Sequence, residues 1–498
     1  MKSLGTWMLL LGIAFGAGAG AAEPTVLWEL RPDAASGALV LQLPEGAEWL
    51  PGNILRVRGP ALPVAPVDGA LLRGNTVTVE AMVRGERLSQ NLLDCLRLEA
   101  NYLPRDKYRE NWGYRPALSK PVAESGWFRW FGTWHIPPYA GNFNLVFGHA
   151  GRDGVAEYRD VRILLVPPPE LLAPGAGGTP PRSRPNYRGA VVGNLKTEED
   201  FRVFAKEWGG NLMRWQFLQG GPAVFTSTER YLEWGRGQIA ELKTRLSWFR
   251  KYGIRVVIDL HRCPGEMNSI NNNLGMWDRE RQDAILQLWR EIAREFRGEP
   301  LVYGYDLVNE PIDKTYDVRG DALDWDRFAD RLAREIRKID PDTPIIVQPT
   351  YSWKALNLPN IIYSPHLYEP GEYSHQGVHR GLVGGYPDPA KGWNRGSRQS
   401  LVQPMRDFQL KYNVPIYVGE FGVARWAPGG ARWLEDWISV FEEYGWDWTF
   451  HAWREADVWS TELSGLRESP ERPEGGTDRG QVIRNYFKRN HENHDCAR

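Results

Sequence analysis

Two patterns of apolar and polar positions divide the chain. From residue 23 to residue 166 the apolar residues fall in short, strand-like runs, among them Ala38–Leu43, Thr76–Glu80, Phe128–Phe131, Asn144–Phe147 and Val161–Leu165. Glycine and proline clusters separate these runs and no sustained helical period appears, which predicts an all-β sandwich. The stretch from Pro167 to Pro185, PPPELLAPGAGGTPPRSRP, has the composition of a linker, stiffened by proline and interrupted by glycine. Beyond it short apolar runs alternate with segments whose apolar residues recur every three or four positions. The runs predict strands at Ala190–Val192, Asn211–Trp215, Ile254–Leu260, Val302–Val308, Pro344–Gln348, Ile361–Ser364, Pro415–Val418 and Trp448–Ala452. Amphipathic helices are predicted over Asp278–Phe296, Trp325–Ile339 and Gln481–Lys488; the second carries Phe328, Ala329, Leu332, Ala333, Ile336 and Ile339 on one face. Eight strand–helix units in about 300 residues predict a (β/α)8 TIM barrel. A doubly wound open sheet is the alternative, and no glycine-rich phosphate fingerprint supports it.

The first 22 residues have the pattern of a secretory leader: Lys2, an apolar region from Trp7 to Phe15, and small residues at Ala19-Gly20-Ala21. The apolar region is short for a membrane span. The expected organisation is a leader at 1–22, a jelly-roll-like sandwich at 23–166, a linker at 167–186, a barrel at 187–490 and a tail at 491–498, in a secreted or periplasmic protein with no membrane insertion. A formal net charge of -1 over 498 residues leaves no basic footprint for nucleic acid. Three cysteines, Cys95, Cys263 and Cys496, are too few for a disulfide framework. The 23 Trp, 20 Tyr and 17 Phe suit either a large aromatic core or surfaces that stack on sugar rings, and composition does not separate the two. The same two readings apply to Trp112, Trp127, Trp130 and Trp134 in the sandwich and to Trp353 in the barrel.

Polar residues with chemistry gather where the predicted strands end. The fourth run closes in Asn309-Glu310-Pro311, and the proline stops the strand. The seventh, VPIYV, closes in Gly419-Glu420-Phe421-Gly422, whose glycines permit close backbone approach. Arg214 ends the second strand, His261 follows the third, His366 and Tyr368 follow the sixth, and Trp453 follows the eighth. Taken singly, each has a structural explanation: a cap, a buried ion pair, a core histidine, a packing tryptophan. Their recurrence at successive strand ends points to one mouth of the barrel, and two carboxylates there are the minimum equipment for cleaving a glycosidic bond. Glu372, His375 and His379 lie close in sequence, but no helix brings them together, and no metal or cofactor is expected.

The combination of Asp-Leu-His on strand three, Asn-Glu-Pro on strand four, His-x-Tyr on strand six and Glu-Phe-Gly on strand seven resembles family 5 glycoside hydrolases, over about Tyr187 to Lys488. The resemblance implies a retaining mechanism with Glu310 as acid/base and Glu420 as nucleophile. It implies that Asn309 contacts the sugar 2-hydroxyl, that Arg214 and Tyr368 position the nucleophile, that His261 and His366 line the same subsite, and that Trp453 forms its aromatic floor. It implies a β-linked glycan as substrate, most simply a β-1,4-glucan, with β-mannan or another β-glucan as alternatives, and a monomer. A barrel that binds glycans without cleaving them is the reading from a different class, and the presence of both acids counts against it. The loops Cys263–Trp277 and Glu369–Ser400 are expected to shape the groove.

Overall fold

The computed structural model describes residues 25–32, 43–59, 61–86, 96–100, 126–136, 141–148, 154–166, 169–193, 197–265, 276, 279–311, 325–349, 353–378 and 381–492. The expected leader, most of the run at Ala38–Leu43, Cys95, Trp112, His379 and Cys496 lie outside these residues, as does most of the loop at Cys263–Trp277.

The alternating runs of the first part pair antiparallel. Thr25–Glu29, Ala47–Leu50, Ile54–Arg58, Thr76–Glu86, Phe128–His135 and Val155–Val166 form one sheet, and Val64–Val67, Leu96–Ala100 and Phe143–Phe147 form another. Val77, Val79, Ala81 and Val83, at every second position of one strand, join Leu145 and Phe147 of the other sheet in a single buried cluster. Each large apolar side chain so removed from water stabilises the fold by about 1.5–3 kcal/mol. Trp127 lies under two guanidinium groups, with Arg84 at 4.6 Å and Arg159 at 4.4 Å from its ring centre.

The second part is a nearly closed parallel barrel. Its strands are β1 (Arg188–Val192), β2 (Leu212–Gln216), β3 (Arg255–Asp259), β4 (Val302–Asp306), β5 (Ile345–Val347), β6 (Ile361–Tyr363), β7 (Tyr417–Val418) and β8 (Asp447–Phe450). They run in the order β6-β5-β4-β3-β2-β1-β8-β7, and the two ends meet through bridges between Tyr363 and Ile416 and between His366 and Glu420. Helices α1 (Glu198–Arg202), α2 (Thr228–Tyr252), α3 (Arg279–Phe296), α4 (Trp325–Arg337), α5 (Arg395–Tyr412), α6 (Gly430–Tyr444) and α7 (Asp478–Phe487) follow strands one to four and six to eight. The period read in the sequence recurs in α4, where Trp325, Phe328, Ala329, Leu332, Ala333 and Ile336 are all buried.

One expected unit departs from the pattern. Among the described residues no helix joins β5 to β6. The segment that reads as a linker covers that side instead: Leu171 bridges to Leu356, the Leu172 amide donates to the Ala355 carbonyl at 2.7 Å, and Asn357 donates to Glu170. The same segment continues along α5, where Gly175 and Gly177 donate to the carbonyls of Lys411 and Tyr412. It then reaches Asp447, the first residue of β8. That carboxylate accepts from the amides of Asn186 and Tyr187 at 2.7 and 2.9 Å, from Arg182 at 2.7 Å and from the Tyr303 hydroxyl at 2.9 Å. Replacing the buried Asp447 by alanine removes the acceptor these partly buried donors share and is expected to lower the unfolding free energy by about 2 kcal/mol. A denaturant midpoint reads the loss, and turnover below the melting range should change little, because Asp447 sits at the end of the barrel away from the mouth.

Candidate active site

Strand alternation builds the site. Leu212, Val257, Ile346, Ile362 and Tyr417 form a separate buried cluster inside the barrel. Two residues further along the same strands the same face presents Arg214, Asp259, Gln348, Ser364 and Gly419. The lower layer fills the barrel with apolar atoms and the upper layer turns polar at the C-terminal mouth.

Arg214 is fully buried and stands at the centre of the upper layer. Its Nε donates to Asp306 Oδ2 at 2.8 Å, Nη1 to Glu420 Oε1 at 2.5 Å and Nη2 to Asn309 Oδ1 at 3.0 Å, while Asp259 Oδ1 lies 3.0 Å from Nη2. One guanidinium does not neutralise three carboxylates. Burial, only partly offset by Arg214, pushes Asp306 up to about 6. Burial would also raise Glu420, but His366, His451, Arg214 and His261 together hold its carboxyl well below the usual range.

Glu310 and Glu420 face each other across the mouth. Oxygens of both carboxylates and a nitrogen of His366 all lie within 4.8 Å of one another; among the described residues this is also the group close enough to share a cation. His366 Nδ1 is 2.9 Å from Glu310 Oε1 and 3.6 Å from Glu420 Oε2. The Tyr368 hydroxyl donates to Glu420 Oε2 at 2.7 Å. Burial and the Glu420 charge push that phenol well above its ordinary pKa, so it stays a donor. The Glu310 backbone sits in the left-handed region at φ 41°, and its amide donates to Gln348 Oε1 at 2.8 Å. Gln348 also donates to Asp306, which couples the acid's unusual backbone to the Arg214 cluster. The Glu310 side chain is 26% exposed and that of Glu420 only 5%, so one carboxyl reaches the open groove while the other is enclosed.

The glycines flanking Glu420 have the role the sequence suggests. A Cβ on Gly419 would stand 3.0 Å from His366 Nε2, and a Cβ on Gly422 would stand 2.5 Å from the His451 carbonyl oxygen. Both sites need the missing side chain for neighbours to close on the carboxylate.

Seven of the eight expected site residues converge. His261 joins through Asp259, 2.8 Å from its Nδ1, and Asn309 Nδ2 lies 3.5 Å from its Nε2. Trp453 does not converge. It is 1% exposed and packs edge-on against Phe204 and Trp208, at 5.2 and 4.8 Å, behind the sheet. The chain leaves strand geometry after Phe450, so two-residue alternation no longer predicts direction there. His451 stands at the site instead: its Nδ1 is 2.7 Å from the Tyr368 hydroxyl, and its Nε2 is 3.1 Å from Glu455. The partly exposed Trp459 stacks on His451 at 5.6 Å. Sequence reading missed His451, Glu455, Trp459, Asp306 and Gln348. A histidine within the last residues of the predicted eighth strand, Trp448–Ala452, was the one available signal. Trp353 packs against Phe408 and Tyr363. In the loop after β6, Tyr373 and Tyr386 are buried and bond to Pro428 and Asp436.

Residues 177–457 match the profile described as Cellulase (glycosyl hydrolase family 5). The chain belongs to glycosyl hydrolase family 5. It is a glycoside hydrolase on a TIM barrel. Cellodextrinase A of Ruminococcus flavefaciens is 28% identical over 284 residues, covering 53% of this chain and 80% of the relative. Endoglucanase C of Acetivibrio thermocellus is 23% identical over 287 residues, covering 50% of this chain and 81% of the relative. A crystal structure described as a glycoside hydrolase aligns at 21% identity and a TM-score of 0.49, covering 61% of this chain and 99% of that one.

The electrostatics of this family 5 hydrolase set a pH dependence of stability. Burial lowers the pKa of His366 and His451, but Glu420 with Glu310, and Glu420 with Glu455, outweigh it and raise both. A raised histidine contributes stability that is complete below the ordinary value of about 6.5 and is lost as pH rises through the folded value. Glu420, depressed, contributes in the opposite sense: its share is present above about pH 4.3 and is lost as pH falls through its folded value. The thermal midpoint is therefore expected to fall as pH rises above about 6.5. The fall should be smaller in His451→Gln, which does not titrate.

Proposed function

We propose that this family 5 hydrolase is a secreted, retaining β-glycosidase that cleaves a β-1,4-glucan by double displacement, with Glu310 as acid/base and Glu420 as nucleophile. The observation that carries the reading is the pair of carboxylates within 4.8 Å, one of them held ionised against Arg214. A retaining enzyme needs its carboxyl groups about 5–5.5 Å apart, too close for an intervening water. In the first step a Glu420 oxygen bonds to the anomeric carbon, the bond to the leaving oxygen breaks, and Glu310 gives that oxygen its proton. His366 engages Glu310 Oε1 and so holds the acid in place beside the leaving oxygen. In the second step water attacks the anomeric carbon, Glu310 takes the water's proton, and Glu420 departs as a carboxylate. Esterified Glu420 no longer repels the anion of Glu310, which suits its change of role.

Asn309 would receive the sugar's 2-hydroxyl, with His261 and His366 beside it. The glucan assignment is supported by the names of the relatives, a cellodextrinase and endoglucanases. Export rests on the residue pattern at 1–22, and the division into a sandwich to residue 166, a connecting segment and a barrel from residue 187 belongs to the same proposal. Among the described residues no helix is long and apolar enough to cross a membrane.

The test is product release from cellulose, mixed-linkage glucan, glucomannan, mannan, xyloglucan and xylan. Activity is expected on the β-1,4-glucans; activity on mannan alone would move the assignment to a mannanase. Glu420→Ala should lose about 10^4-fold or more in kcat on every substrate. Glu310→Ala should lose about 10^2–10^4-fold on polysaccharide yet retain most of its rate on aryl glycosides whose leaving group needs no proton. Turnover that survives Glu420→Ala would overturn the mechanism.

A further inference from the structure

Beyond the residues the reaction requires, a second hydrogen-bonded chain reaches Glu420 from the loop after β8. Glu455 Oε2 lies 3.1 Å from His451 Nε2, His451 Nδ1 lies 2.7 Å from the Tyr368 hydroxyl, and that hydroxyl donates to Glu420 Oε2 at 2.7 Å. We propose that His451, held by Glu455, is a positioning residue that fixes the Tyr368 phenol on the nucleophile. The proposal rests on the reading of Glu420 as nucleophile.

The direction of the chain follows from what each group can donate. Tyr368 spends its one proton on Glu420, so its oxygen must accept from His451 Nδ1–H. An ionised Glu455 only accepts, so His451 Nε2 also carries a proton. The imidazole in this arrangement is an imidazolium, and its charge strengthens the phenol's bond to the carboxylate. The groups around it are consistent with that state: Glu420 and Glu455 face it as anions, Arg214 opposes them as a cation, and Tyr368 lies between. His451 itself is 3.8 Å from Glu420 Oε2, so it acts through the tyrosine rather than on the reacting atoms.

Packing holds the imidazole in place. Trp459 stacks on it at 5.6 Å and also borders Tyr368 and His375, at 5.9 and 4.8 Å. The His451 amide donates to the Phe421 carbonyl at 2.8 Å, directly beside Glu420. The loop that carries Glu455 and Trp459 is tied down at several points. Arg454 bonds to Glu462 and Asp200, and Arg425 donates to the carbonyls of Asp457 and Ser464. An imidazole with two ring nitrogens engaged and one face covered has one orientation available, and misplacement of the phenol by about 1 Å is enough to cost about 10^2-fold in rate.

The test is a double-mutant cycle on the full chain, with kcat and KM measured on a soluble glucan or aryl glycoside. His451→Ala is expected to lower kcat about 10- to 100-fold with KM within about twofold. In a Tyr368→Phe background the same change should cost less than about twofold, because the phenol it positions is gone. His451→Asn places an amide nitrogen near Nδ1 and should recover most of the loss, whereas His451→Gln, which reaches toward Glu455 instead, should not. Glu455→Gln keeps the side chain's shape and should lower kcat in the same direction by a smaller factor, which keeps the cycle readable if His451→Ala does not fold. Losses that multiply independently, or a rise in KM with kcat unchanged, would overturn the proposal. An inactive Glu420→Ala protein beside an additive cycle removes the role of His451 alone; an active Glu420→Ala protein removes the nucleophile assignment itself.

Discussion

A fully buried guanidinium has to be surrounded, and the mouth of this barrel is organised by that requirement. Arg214 comes from β2, and its partners come from β3, β4 and the end of β7: Asp259, Asp306, Asn309 and Glu420. A cation taken out of water is costly unless charged partners and hydrogen bonds replace the solvent. Each partner here is itself buried, so removing any one of them strands charge in a low-dielectric interior. The arrangement ties four strand ends to one another and fixes Glu420 at the place where they meet. Stability and chemistry are therefore coupled in the same few atoms: the guanidinium that holds the mouth together also joins His366 and His451 in keeping one carboxylate ionised.

The remaining negative charge is distributed rather than cancelled. Asp306 is pushed up to about 6 by burial, and His366 and His451 are raised by the anions beside them. Glu310 takes its place through a different device, a left-handed backbone secured by Gln348, which in turn bonds to Asp306. Around this centre the long connections are packed down. The Trp426 indole donates to the Gln376 carbonyl, and Arg467 donates to Gly377, so the loops after β6, β7 and β8 are bonded to one another beside the groove.

The elements that were legible in the sequence are those where one physical rule acts alone. A buried strand stopped by proline marks Asn309-Glu310, and a short apolar run enclosed by glycines marks Glu420. The helix Trp325–Arg337 follows its apolar period almost to the residue. Legibility ends where two rules compete. Trp453 follows a strand and is aromatic, but the chain turns after Phe450, and the large ring finds Phe204 and Trp208 instead of the mouth. His451, two residues earlier, reads as one more polar residue in an aromatic stretch until Glu455 and Tyr368 are seen on either side of it. Asp306 and Gln348 lie inside or beside apolar strands, and only the position of Arg214 explains why polar groups are tolerated there. That no helix joins β5 to β6 among the described residues was equally hidden, because the segment packed there comes from more than 170 residues earlier, and its proline and glycine content reads as a linker.

The most direct test of the account is to trap the covalent intermediate. A 2-deoxy-2-fluoro cellobioside with an activated leaving group should inactivate the enzyme while adding the mass of one fluorinated cellobiosyl group, and peptide mapping should place that mass on Glu420. An adduct on another residue, or hydrolysis that releases the inverted anomer with no adduct formed, would contradict the assignment of Glu420 as the nucleophile that Arg214 holds ready.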